Sequence, residues 1–309
     1  MPELHTYIRL TNIITKEVMS ELQDDYQLSN AEAVEQLRKA HEVKQVSDYK
    51  FPTEIIDLPS RGLIYSEDNP LASGKLEMKY MTAREEDILS TQSYIKDGSV
   101  LDRLFQSLII SNGEGIPIKY TDLVIGDKNA VMLAARILGY GKDYSVEIQD
   151  PFSEVTQTEV IDLTQFTNKE YDGLGQTELH KNEFRFELPQ SKRVVTFMSL
   201  TESKERLIKH KLEEQIKANR KLKRDEASKE LTTRLKVAIL SIDDSYEIKD
   251  IENFVDNELF AVDSRALRNH MSEVMPDIDL GWEFISEETG RAEEMTLPIG
   301  VGFFWPQAD

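Results

Sequence analysis

The sequence predicts an α+β protein made of two small mixed domains. A helical N-terminal arm precedes them, and the second holds a long basic helix. Three observations lead there. Apolar residues alternate with polar ones at Leu76-Met78-Tyr80, Tyr144-Val146-Ile148 and Phe184-Phe186-Leu188, the period of half-buried strands. Elsewhere they recur every three or four residues, as in Leu101, Leu104, Phe105 and Leu108, the stripe of an amphipathic helix. Turn residues such as Asn112-Gly113 and Pro189-Gln190-Ser191-Lys192 separate these segments.

Residues 1–50 read as the arm. Ser29-Asn30-Ala31-Glu32 is a capping box, in which the Ser side chain caps a backbone N–H and the Glu reaches back. Ala33, Leu37 and Ala40 follow at helical spacing, and this helix either packs on its own domain or reaches a neighbouring subunit. The first domain is expected over 51–165. It opens with Ile55-Ile56 and a Pro59-Ser60-Arg61-Gly62 turn, where Gly62 can take a positive φ. A strand through Leu76, Met78 and Tyr80 leads to a second capping box, Thr82-Ala83-Arg84-Glu85, and a short acidic helix. The Leu101–Ile109 stripe predicts a helix stopped by Asn112-Gly113. A third helix is expected from Asp127 to Gly139, with Gly139 just past its end, and then a strand through Tyr144, Val146 and Ile148.

The second domain is expected over 166–309, after a loop rich in Asn, Asp and Gly at 167–178. Phe184, Phe186 and Leu188, the Pro189-Gln190-Ser191-Lys192 turn, and Val195 and Phe197 predict a hairpin. A long helix starts near Glu202. Its stripes Ile208-Leu212-Ile216 and Leu231-Leu235-Ile239 flank a nearly all-polar stretch, Asn219 to Lys229, so the helix protrudes there or bends into a helical hairpin. Ile248 to Leu259 gives a further helix. Ser264 reads as the cap of another, closed by Pro276, and Met295 and Leu297 alternate in a β-like tail.

Composition bounds the function. The 309 residues carry a net charge of −20 and no cysteine, which excludes disulfides and thiol catalysis. No apolar run approaches the roughly 20 residues that span a bilayer. The start, Met1-Pro2-Glu3-Leu4-His5, lacks the basic-then-apolar pattern of a signal peptide. Between Lys204 and Lys236 there are 12 Lys/Arg against 6 Asp/Glu, so the rest of the chain carries −26. A surface this acidic repels nucleic acid over most of its area, so no nucleic-acid partner is expected there. The basic cluster Lys217, Arg220, Lys221 and Arg224 has no interleaved aromatics for base stacking. It reads as a solvated helix face or as a surface for an acidic protein, including the chain's own segment 241–309, with 17 acidic and 4 basic residues.

No phosphate-cradling G-x-x-x-x-G-K-[ST], no G-x-S-x-G and no H-E-x-x-H is present, and the five histidines are scattered. The expectation is a protein that is not an enzyme and uses no cofactor. Two turns, Asp150-Pro151-Phe152-Ser153 and Ser286-Glu287-Glu288-Thr289-Gly290, have the frames of zinc knuckles, C-P-x-C and C-x-x-C-G, without their thiolates. At Asp150, Ser153, Ser286 and Thr289 no zinc can be held in the usual way, so no metal is expected. Phe303, Phe304 and Trp305 close the chain as a core anchor or a subunit contact; in an extended segment adjacent rings point to opposite faces.

Several of these motifs carry a family resemblance. They are Leu58-Pro59-Ser60-Arg61-Gly62-Leu63-Ile64-Tyr65, Thr82-Ala83-Arg84-Glu85-Glu86-Asp87-Ile88-Leu89, and Gly126-Asp127 before a helix ending near Gly139-Tyr140-Gly141. In the second half they are Asp263-Ser264-Arg265-Ala266-Leu267-Arg268, Leu297-Pro298-Ile299 and Phe303-Phe304-Trp305-Pro306. Over residues 51–309 the chain resembles the baseplate-hub and tail-assembly proteins of T-even-type, contractile-tailed phages. The resemblance implies a structural role in the virion tail, or in the host cytoplasm during assembly, through contacts with other tail or baseplate proteins. The alternative it leaves open is a chaperone of the tape-measure protein that is absent from the mature virion. It also implies cysteines in the knuckle frames; a structural zinc there contributes roughly 10–16 kcal/mol to folding, which this chain must replace by other means.

Overall fold

The computed structural model describes residues 52–153, 155–222 and 229–304, with side chains left aside at 219–222. Met1–Phe51 and Pro52–Asp309 separate as two units. The expected N-terminal arm with its Ser29 capping box, and Arg224 and Trp305, lie outside the described residues.

The first sheet is antiparallel, in the order β1 (Thr53–Asp57), β2 (Lys75–Lys79), β3 (Ile109–Ser111). Alternation in β2 buries Leu76 and Met78. The capping box then starts α1 (Ala83–Ser90): Glu85 Oε2 accepts from Thr82 N at 2.9 Å and Thr82 Oγ1 at 2.6 Å. Burial pushes the Glu85 carboxyl up, but hydrogen bonds from Lys79, Ser107 and Thr82 outweigh it and bring it to about 2. A short α2 (Gln92–Asp97) precedes α3 (Val100–Leu108), which buries Val100, Leu104, Phe105 and Leu108 along one stripe. Ile109, expected in that helix, instead opens β3.

The next helix, α4 (Ile125–Tyr140), runs past Gly139 to a cap at Gly141, where φ is +86°. Two hairpins follow at different points of the chain. β4 (Asp143–Gln149) pairs with β5 (Thr156–Asp162), and β11 (Gly281–Ile285) pairs with β12 (Ala292–Thr296). Between them lie β6 (Thr167–Asn168), paired with β10 (Ile278–Asp279), and the sheet β7 (Phe184–Glu187), β8 (Val194–Phe197), β9 (Ile239–Ile242). The hairpin at 184–197 forms as expected, with Phe184 opposite Phe197 and their rings stacked at 5.5 Å.

The long helix is two helices. α5 (Glu202–Leu222) packs against α6 (Glu230–Ala238), with a Glu205–Arg234 ion pair and a Gln215–Thr233 hydrogen bond across them. Ile239 leaves α6 and starts β9. α7 (Ile248–Asn253) ends in a wider π turn, and α8 (Ala261–Val274) follows. Ser264 lies inside α8 rather than capping it; Phe260 is the cap.

One main core joins Leu58 to Phe304. It takes Phe105 and Val131 from the first half and Phe197, Phe254 and Leu267 from the second. The stretches 51–165 and 166–309, expected as separate domains, therefore share a core within the unit Pro52–Asp309.

Candidate functional site

The two knuckle frames are the loops of two hairpins. Residues 150–155 join β4 to β5, and 286–291 join β11 to β12. Each loop is closed by its first residue's N–H on the carbonyl of its last: Asp150 N to Val155 O at 3.0 Å, and Ser286 N to Arg291 O at 2.8 Å. Gly290 sits at φ +67°, where its lack of a side chain avoids strain.

The structure brings the four expected positions into one cluster across 136 residues of sequence. Asp150 Oδ2 accepts from Ser286 Oγ at 2.6 Å and from Ser153 Oγ at 2.9 Å. Asp150 Oδ1 accepts from Phe152 N at 2.7 Å, and Ser286 Oγ accepts from Thr289 N at 3.0 Å. Asp150 and Ser286 are 3% and 1% exposed. Burial pushes the Asp150 carboxyl up, but donation from Ser286, Phe152 and Ser153 holds it below its ordinary value. The donors and acceptors of both turns satisfy one another, which ties the hairpin tips together as a metal would, by hydrogen bonds to a carboxylate. Gln157 reinforces the joint: its Nε2 donates to Ile285 O at 2.9 Å and its Oε1 accepts from Glu287 N at 2.9 Å. Sequence reasoning missed Gln157, because its register opposite Ile148 is set by the strand pairing and not written in the local sequence.

A second buried cluster joins two of the motifs that carry the family resemblance. Asp127, on the first turn of α4, accepts from Ser60 N at 2.8 Å, Ser60 Oγ at 2.7 Å and Tyr65 Oη at 2.6 Å. Tyr65 Oη in turn accepts from Val124 N at 3.0 Å. Asp127 and Ser60 are fully buried. Burial pushes the Asp127 carboxyl up to about 6, against three hydrogen bonds that pull it down. The same burial, with the Asp127 charge, raises the Tyr65 hydroxyl. Ser60 anchored in this way fixes the turn that follows. Arg61 stands at φ +51° and Gly62 at φ +79°, where a β-carbon on Gly62 would come within 2.2 Å of the Ala72 carbonyl oxygen. The Arg61 side chain is exposed and donates to Tyr171 O at 3.3 Å.

The remaining expected sites divide. Phe303 and Phe304 form a 3-10 turn rather than an extended strand, and both rings enter the main core, 2% and 0% exposed. Phe303 packs on Tyr144 at 4.9 Å and Phe304 on Phe105 at 6.0 Å, so neither offers a ring to a partner. Successive residues of a 3-10 turn point about 120° apart, so two neighbours can share a core that an extended segment would deny one of them. Lys217 is exposed near the end of α5, and its ion pair is with Glu213 one turn back, at 3.9 Å. Arg220 and Lys221 continue α5 beyond it.

Among the described residues no group of three or more His, Asp or Glu is placed to hold a metal ion, and no helix is long and apolar enough to cross a membrane. No protein-family model, curated protein or solved structure matches this chain.

Proposed function

We propose that this chain is a non-enzymatic structural or assembly protein of a contractile phage tail, acting in the baseplate hub through protein–protein contacts. One observation carries the reading. Two motifs that carry the resemblance meet in one buried joint, and the two knuckle frames meet in another. Ser60 and Tyr65 of one motif bond Asp127 of another, and the two knuckle frames close on each other at Asp150 and Ser286. Both clusters are saturated with internal hydrogen bonds and rigidify joints, which suits a part that holds its shape within a larger assembly.

The basic end of α5 supplies a contact surface in this reading. Gln215 makes the bond to Thr233, and the cationic positions begin just past it at Lys217. Reversing charge at Lys217, Arg220, Lys221 and Arg224 weakens assembly, most at low salt, where screening is least. The test of the proposal itself is removal of the chain from the phage that encodes it, followed by electron microscopy of the lysate. The reading expects heads without complete contractile tails; normal tails and undiminished infectivity would overturn it.

A further inference from the structure

A groove of about 290 Å3 opens where α4 begins, between α6 and α8. Its walls are apolar, with Met198, Leu200, Leu231, Leu235, Met271 and Met275 facing it. It adjoins a second apolar cluster, Leu200, Ile208 and Ala238, which is far smaller than the main core. Leu231 at the groove and Ile216 on the neighbouring α5 are both largely exposed. The floor is fixed by close packing at Gly126, where a β-carbon would lie 1.9 Å from the Pro276 carbonyl oxygen.

The charges at the mouth are unequal. Arg234 is paired with Glu205, and Asp277 accepts from Asn129 Nδ2 at 2.9 Å. Arg268 is exposed; its Nε donates to the Ser264 carbonyl at 3.3 Å, and it has no carboxylate partner among the described residues. Arg265, one turn earlier on α8, is likewise exposed and without one. Residues 241–309 hold 17 acidic and only 4 basic side chains, so two unpaired arginines on one helix there are not the by-product of a basic surface.

We propose that this groove docks an amphipathic helix of a partner protein, apolar along one stripe and acidic on its flanks. An apolar stripe at i, i+3, i+4 and i+7 is the shape that such grooves accept, and flexible methionine side chains adapt to it. Carboxylates on the flank that faces α8 would meet Arg268, with Arg265 one turn beyond it on the same helix. This inference rests on the groove and not on the tail reading, and its test involves no virus particle.

The test uses the full chain with 13C-methyl methionine, observed by NMR. The probes are two capped helical peptides with leucine at the stripe positions, one with glutamate on the flanks and one with lysine. The acidic peptide is expected to shift the methyls of Met198, Met271 and Met275 and to leave those of the buried Met78 and Met132 in place. The lysine peptide should bind about tenfold more weakly, and Arg268→Glu should abolish that preference. Arg268 is exposed, so unchanged methyls of the buried Met78 and Met132 in the variant check its folding. Shifts absent from the three groove methyls, equal affinity for both peptides, or an undiminished preference in Arg268→Glu would each overturn the proposal.

Discussion

Asp127→Asn tests the buried joint between the Pro-Ser-Arg-Gly turn and α4. The Asp127 carboxylate receives three donors, which favour its charged form, yet it is fully buried, which disfavours that form more. Burial wins, and the folded-state value rises from the ordinary 3.8 to about 6. The consequence for stability has a definite sign. Below about pH 4 the group is protonated in both folded and unfolded chains and contributes nothing to pH dependence. Between about 4 and 6 the unfolded chain has released its proton while the folded chain still holds it, so stability falls as pH rises. Above 6 the loss is complete, and the interval corresponds to roughly 3 kcal/mol. Asparagine does not titrate, so the difference in unfolding free energy between wild type and variant isolates this one group from the other carboxylates. Urea unfolding of both proteins from pH 4 to pH 7 should show wild type losing about 3 kcal/mol relative to Asp127→Asn across that range. At pH 7 the variant has its own cost, because an amide cannot accept from all three donors; this shifts the difference by a constant and leaves its slope intact. A difference that is flat with pH, or wild type gaining relative stability as pH rises, would mean that the donors outweigh burial and that the reasoning is wrong.

Other expectations follow from the same geometry. Purified wild-type protein washed with chelator should contain no stoichiometric zinc by elemental analysis, whereas the fourfold variant Asp150→Cys, Ser153→Cys, Ser286→Cys, Thr289→Cys should bind about one zinc per chain through four thiolates and give a tetrahedral cobalt spectrum. Failure of that variant to bind metal would show that the two loops do not oppose each other as knuckles. Phe304→Ala, which empties a fully buried ring position between Phe105 and Phe303, should cost about 3–5 kcal/mol in urea unfolding. Gly126→Ala should prevent stable folding, because its β-carbon meets the backbone oxygen of Pro276 rather than a movable side chain, and a soluble variant with wild-type melting would contradict that contact.

What the sequence disclosed depended on the range of each signal. Local periodicity located β2 and the 184–197 hairpin, and the Thr82–Glu85 box located the start of α1, because each is written within a few consecutive residues. Periodicity assigns Ile109 and Ile239 to the helix before each, one element too early. Each continues the helical stripe before it in sequence, but the chain passes straight from helix into a short strand whose pairing partner is remote: Met78 for Ile109 and Phe197 for Ile239. Ser264 had the chemistry of a helix cap, yet tertiary packing draws it inside α8, and Asp263 beside it accepts from Gln190 N and Ser191 N of the distant hairpin turn. The knuckle frames were legible as turns; that Asp150 would take both serine hydroxyls was not, since nothing local links residue 150 to residue 286. The Ser60–Tyr65–Asp127 cluster is hidden for the same reason, with more than 60 residues between the turn and the helix.

The proposal that the chain belongs to a contractile tail is tested most directly by quantitative mass spectrometry of purified phage particles and of tail-assembly intermediates. The account predicts the protein in mature particles at a fixed small ratio to the other baseplate proteins. Presence in intermediates alone would make it a departing assembly chaperone, and absence from both would contradict the account.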